Sequence, residues 1–239
     1  MAAWRICVTG ITKMTKPLVT LTIGQSPRSD ILPLLRQHLP DALTDHAGLL
    51  DGLSAAEIAA RFAPAAGDRV LVSRLQSGEQ VRLAASKVEQ GLQRKISALE
   101  QAGYATILLL CTGEFSRLRT QRALLLEPDR LIPPLICAMV QQQQRVGIVV
   151  PVEEQIVEQA GKWQQLPAQP CFAVASPYQG DQATFADAAN SLKAQGAALV
   201  VLDCMGYHQQ HRIGLQQRLG VPVLLSNQLV ARLAAELLP

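Results

Sequence analysis

LEQAGYATILLLCTGEF (Leu99–Phe115) and LKAQGAALVVLDCMGYH (Leu192–His208) are two copies of one pattern. They align without a gap: Leu99, Gly103, Cys111 and Gly113 match Leu192, Gly196, Cys204 and Gly206. Each copy reads as the end of a helix, a glycine C-cap, a short apolar strand and then Cys-x-Gly. Runs such as Ile107–Leu110 and Leu199–Leu202 are apolar at every position, as a parallel strand covered on both faces requires. The chain therefore divides into two halves of one design, each ending a buried strand with a cysteine.

Working outward, β-rich apolar runs alternate with helical patterns, the mark of a parallel sheet covered by helices. In the first half, Leu18–Ile23 is a strand and Gly24-Gln25-Ser26-Pro27-Arg28 a turn, with a helix from Ser29. Ser54 with Glu57, and Ser86 with Glu89, form capping boxes, which explain both glutamates without catalysis. Arg69–Leu75 and Gln80–Leu83 flank Ser77-Gly78 as a hairpin. A strand at Ala105–Leu110 and a helix to about Leu126 follow, with breaks at Glu127-Pro128 and Pro133-Pro134. The second half reads as strands at Val146–Val150, Cys171–Ala175, Ala198–Leu202 and Val221–Leu225, separated by helices and closed by the helix Asn227–Leu238.

Composition narrows the class. Of the 239 residues, 49% are hydrophobic and 17% charged, enough apolar surface for a packed core. The net charge of +3 comes from scattered residues, with no Lys/Arg cluster to track a phosphate backbone. No stretch is long and apolar enough for a membrane span or a secretory h-region. Five cysteines without a C-x-x-C pair suggest thiols in a reducing cytoplasm rather than disulfides or a zinc ribbon. Cys7, Cys137 and Cys171 fall in the leader, a helix and a strand, and read as inert. Residues 1–16 read as an extension outside the fold.

In open α/β sheets, ligands sit beyond the carboxyl ends of strands. Cys111 and Cys204 both stand there, and a helix N-terminus would lower the pKa of each thiol. Taken singly, each cysteine reads first as a small buried hydrophobe; the matched pair reverses this in favour of function. Thr112, Gly113, Met205 and Gly206 place backbone N–H groups beside the thiols. Gly24, Gln25, Ser26 and Arg28 occupy the turn after the first strand, with Arg28 as a fork-shaped partner for a carboxylate. Ser226 and Asn227 hold the equivalent turn after the last strand, where Asn227 reads equally as an N-cap. His208, four residues on, is a candidate proton partner for Cys204. With His211 it forms C-x3-H-x2-H, no standard zinc spacing and short of a fourth ligand, so no metal is expected.

From Leu18 onward the chain resembles the AroM family, through TIGQSPRSD (Thr22–Asp30), LEP (Leu126–Pro128), VGIVVPVEEQ (Val146–Gln155), LDCMGYHQQHR (Leu202–Arg212) and VPVLLSNQLVARLAAELL (Val221–Leu238). AroM proteins stand with the aspartate/glutamate and hydantoin racemase superfamily. The resemblance implies two pseudo-symmetric, Rossmann-like three-layer lobes with parallel sheets; taken with the repeat and the Pro133-Pro134 break, it divides the chain into 17–134 plus 222–239 as the first and 135–221 as the second. It also implies a reaction without cofactor, in which one thiolate removes an α-proton and the other thiol returns one from the far face. The chain departs from the racemases' usual Cys-Asn-Thr and Gly-Cys-Thr-His, carrying Cys111-Thr112-Gly113 and Asp203-Cys204-Met205-Gly206-Tyr207-His208. The substrate therefore stays open beyond a small carboxylate. Nucleic acid and membrane are not expected partners, and a homodimer stays open. Two alternatives remain: a small-carboxylate binding or regulatory protein without turnover, and a one-cysteine isomerase or lyase using Cys204.

Overall fold

The apolar runs of both repeats become central strands buried on both faces. The computed structural model describes residues 16–179 and 181–239. Its first half runs β1 (Lys16–Thr22), α1 (Leu32–Leu35), β2 (Thr44–Gly48), α2 (Ala55–Phe62), β3 (Val70–Arg74), β4 (Gln80–Ala84), α3 (Ala85–Gln101), β5 (Tyr104–Leu110) and β6 (Leu124–Leu126). The rest follows as α4 (Pro128–Met139), β7 (Arg145–Val150), α5 (Gln155–Lys162), β8 (Cys171–Val174), α6 (Gln182–Ala194), β9 (Ala197–Leu202), α7 (Gln209–Leu219), β10 (Val223–Leu225) and α8 (Ser226–Ala235).

The strands form two four-stranded sheets with one ordering, β2-β1-β5-β6 and β8-β7-β9-β10, parallel throughout. The repeat strands β5 and β9 hold equivalent inner positions. Before each, a glycine adopts the left-handed conformation that closes a helix without a Cβ penalty: Gly103 at φ +91° and Gly196 at φ +76°. The strands β3 and β4 make a separate antiparallel hairpin, as their sequence predicts.

Side chains alternate along each strand, so each sheet has two faces to cover. On the first sheet Val19, Ile107 and Leu109 pack with α2, α3 and the hairpin, while on the second Val149, Val200 and Leu202 pack with α6 and α7. The opposite faces meet in one cluster: Leu18, Leu108 and Leu110 join Ile148, Val150 and Val201, with Ile132 and Ile136 of α4 and Val230 and Ala234 of α8. Each Leu, Ile or Val among them contributes roughly 1.5–3 kcal/mol on burial, so this shared cluster binds the two halves firmly.

Several expected elements differ. No helix covers the stretch before Leu126; the chain there is irregular and ends in β6. The prolines expected to break the chain, Pro133 and Pro134, lie inside α4, where burial of Ile132, Pro133 and Ile136 outweighs the lost amide donors. The capping box at Ser54 forms, with its side chain accepting from Glu57 N and the Glu57 carboxylate accepting from Ser54 N. Ser86 instead lies within α3, and Glu89 accepts from the Arg117 backbone N–H. Strand β10, placed by its sequence with 222–239 in the first lobe, pairs with β9 in the second sheet. Only α8 crosses back, packing on α1, α4 and β5. Of the expected extension at 1–16, Lys16 opens β1; the rest, with Cys7, lies outside the described residues. Among the described residues, no helix is long and apolar enough to cross a membrane.

Candidate functional site

The turns following β1, β5 and β9 converge on one pocket between the sheets. Cys111, Thr112 and Gly113 line it from one side, Cys204 and Met205 from the other, and Arg28 from the turn after β1. The sequence repeat extends to local geometry. Gly113 N–H donates to Cys111 Sγ at 3.4 Å, and Gly206 N–H donates to Cys204 Sγ at 3.5 Å. Both thiols are nearly buried, at 8% exposure each. The pocket leaves about 30 Å³ for solvent, where one water needs ~10–15 Å³. Leu71, Val72 and Ser73 of the hairpin form one of its walls.

Arg28 is 6% exposed and already partnered. Its Nε and Nη2 donate to the two oxygens of Asp30, at 2.8 and 2.6 Å, and Nη2 also donates to the Tyr178 hydroxyl at 3.2 Å. Burial opposes the guanidinium charge, but Tyr178, Asp30 and Cys204 more than offset this and keep Arg28 charged. The same burial opposes charge on Asp30, and its hydrogen bonds from Arg28 still hold the carboxyl below its usual range.

Tyr178, in the loop after β8, is a site residue that the repeat gave no reason to single out. Its hydroxyl lies 3.7 Å from Cys204 Sγ, and burial raises its own pKa far above the usual tyrosine value. Its ring packs on Gly206, where an added Cβ would fall 2.5 Å from ring atoms. The strand-end rule that located the cysteines also applies to Ser176–Tyr178 beyond β8, and would have found it. Burial pushes the Cys204 thiol up, against the expected lowering by a helix end. The Gly206 N–H, the Tyr178 hydroxyl and Arg28 pull it back, and Asp203 adds to the rise.

Other expected contacts support the site from behind. Gln25 donates to Leu50 O and Leu53 O and accepts from Gln76 N, while Ser26 gives its N–H and hydroxyl to Asp51. Gly24 packs against the hairpin, 2.5 Å from Arg74 O at its ideal Cβ position. Neither these three residues nor Gly206, Ser226 and Asn227 line the pocket. Ser226 Oγ donates to Asp203 Oδ1 at 3.3 Å. Asn227 lies in the first turn of α8 rather than at its N-cap, and its amide donates to Met205 O and Tyr207 O, bracing the Cys204 turn.

His208 precedes α7 and does not line the pocket; Cys204 Sγ instead meets the Tyr178 hydroxyl and the Gly206 N–H. His208 N–H donates to His211 Nδ1, and His211 stacks on Phe185 with ring centroids 4.4 Å apart. Burial, then the neighbouring His208, pushes His211 down to about 4. Among the described residues, no group of three or more His, Cys, Asp or Glu is arranged to hold a metal ion.

The family model described as AroM protein matches residues 18–238. No curated protein matches the chain. Similar solved structures include an allantoin racemase from Pseudomonas fluorescens, 13% identical, with a TM-score of 0.58 and 92% of this chain and 90% of that chain covered. A glutamate racemase isoform from Bacillus anthracis is 10% identical, with a TM-score of 0.58 over 91% and 79%. An arylmalonate decarboxylase is 16% identical, with a TM-score of 0.54 over 92% of each chain. These likenesses show a shared two-lobed α/β fold.

Proposed function

The chain belongs to the AroM family, and from that premise we propose that it is a racemase- or isomerase-like enzyme moving a proton at the carbon next to a small carboxylate, with Cys111 and Cys204 as its base and acid. The carrying observation is the duplicated Cys-x-Gly turn, which presents both thiols to one pocket. Structural relatives named as racemases and a decarboxylase support a reaction of this kind.

In the proposed step, one cysteine as thiolate takes the α-proton and leaves a carbanion conjugated with the carboxylate. The other, as thiol, gives a proton to the opposite face. The two sulfurs have then exchanged states, and the reverse reaction restores them. Arg28, positive and buried, offers countercharge to the carboxylate as electron density moves onto it. No cofactor is needed for this step.

A one-thiol reaction at Cys204 is the second reading, favoured by the Tyr178 hydroxyl 3.7 Å from its sulfur. In D2O, with a panel of amino acids, hydroxy acids and unsaturated diacids, NMR should show loss of α-C–H or vinyl signal from one class. Cys111→Ala and Cys204→Ala should each abolish net conversion. Conversion surviving in Cys111→Ala alone would select the one-thiol reading. Exchange persisting undiminished in both variants would remove the cysteines as bases, and ligand binding without exchange would indicate a binding protein.

A further inference from the structure

Behind the pocket, the last residue of α5 buries an ammonium group. The Lys162 side chain is 3% exposed, and its Nζ donates to Thr112 O at 2.9 Å and to Asp203 Oδ2 at 2.8 Å. Asp129, in the first turn of α4, lies 3.6 Å away through Oδ1. Thr112 directly follows Cys111 and Asp203 directly precedes Cys204. Asp203 is itself fully buried, also accepting from Trp163 Nε1 at 3.4 Å, and its backbone oxygen accepts from Thr112 Oγ1 at 3.1 Å. A buried ion pair is a poor device for stability, since well-packed apolar side chains do as well or better. Its placement between two cysteine turns therefore calls for another account.

We propose that Lys162 is a positioning residue of the cysteine pair, tying the turn after β5 to the turn after β9 and balancing the Asp203 charge one residue from Cys204. The groups facing Cys204 come from several elements. Arg28, paired with Asp30, approaches from the loop after β1, Tyr178 from the loop after β8, and Asp203 and Tyr207 from its own turn. Lys162 stands behind Asp203, with Asp129 beside it. Asp203 is thus the negative neighbour that opposes a Cys204 thiolate, and Lys162 is the cation that screens it. This inference concerns thiol chemistry and does not rest on turnover.

The test is the pH dependence of Cys204 alkylation by iodoacetamide, followed by mass spectrometry of the Cys204 peptide in folded protein. Lys162→Met should move the midpoint up by about one pH unit, and Asp203→Asn should move it down by a similar amount. The double variant should return close to the wild-type midpoint. A packing role alone would instead speed alkylation in all three variants without opposed shifts. Shifts of the same sign, or none, would overturn the proposal. Should Lys162→Met fail to fold, Asp203→Asn still decides: an unmoved or raised midpoint overturns it.

Discussion

Substituting Arg28 by Met removes one partner of an ion pair whose side chains are 4% and 7% exposed. Two classes of effect compete. A surface pair would cost ~0–1 kcal/mol, whereas a buried charge left without its partner costs about 3–5 kcal/mol. The exposures and the two short bonds, 2.8 and 2.6 Å, place this pair in the second class. Against a typical total stability of about 5–15 kcal/mol, the loss is large. Asp30→Asn keeps the shape and one acceptor, so about 2 kcal/mol is expected, the range for a hydrogen bond to a charged group. Arg28→Met with Asp30→Leu removes both charges and should approach wild type within about 1 kcal/mol. Urea unfolding measures all three. The pH dependence has a definite sign: Asp30 has a lowered native pKa, so its contribution is complete above the unfolded carboxyl value, about 3.9. It is lost as pH falls through the lower native value, and Asp30→Asn should lack that acid-side loss. Single variants within 1 kcal/mol of wild type, or a double variant as unstable as the two combined, would refute the reasoning.

The two repeat glycines make a paired test. Gly206→Ala drives a methyl into the Tyr178 ring at 2.5 Å and should cost about 1–3 kcal/mol in thermal or urea unfolding, while Gly113→Ala meets a movable Leu71 methyl at 2.7 Å and Cys111 Sγ at 3.4 Å and should cost less; equal costs would contradict the packing described. Cys204 should alkylate with a midpoint above that of a free thiol, and Tyr178→Phe, which deletes a hydrogen bond that lowers it, should raise the midpoint further. A midpoint below free cysteine would mean that burial does not dominate there.

The central strands were legible because their signal is local. A glycine at positive φ, an apolar run and Cys-x-Gly occur twice, and each element acts within a few residues of itself. β2 was missed because Thr44–Gly48 is polar and non-alternating; its ladder to β1, not its own side chains, makes it a strand. The prolines of α4 misled for a similar reason. The cost of a proline in a helix is a local quantity, and the burial opposing it comes from packing of α4 in the shared core. At the site, the turn after the first strand singled out Arg28, while its pairing with Asp30, two residues on, is seen only in the structure. Lys162 had no such sign. It meets Thr112 and Asp203 only because the two strand ends fold together, a fact about tertiary structure and not about any stretch of chain.

The shared cluster between the sheets also governs how the molecule comes apart. Leu108 and Leu110 belong to the first sheet, Val150 and Val201 to the second, and the helix that seals them comes from the end of the chain. Neither repeat owns a complete interior. Duplication in the sequence thus does not amount to two independently folding units. Losing either sheet strips the other of its inner wall, so both halves should melt as one cooperative body, and a severed half should lack a stable fold of its own.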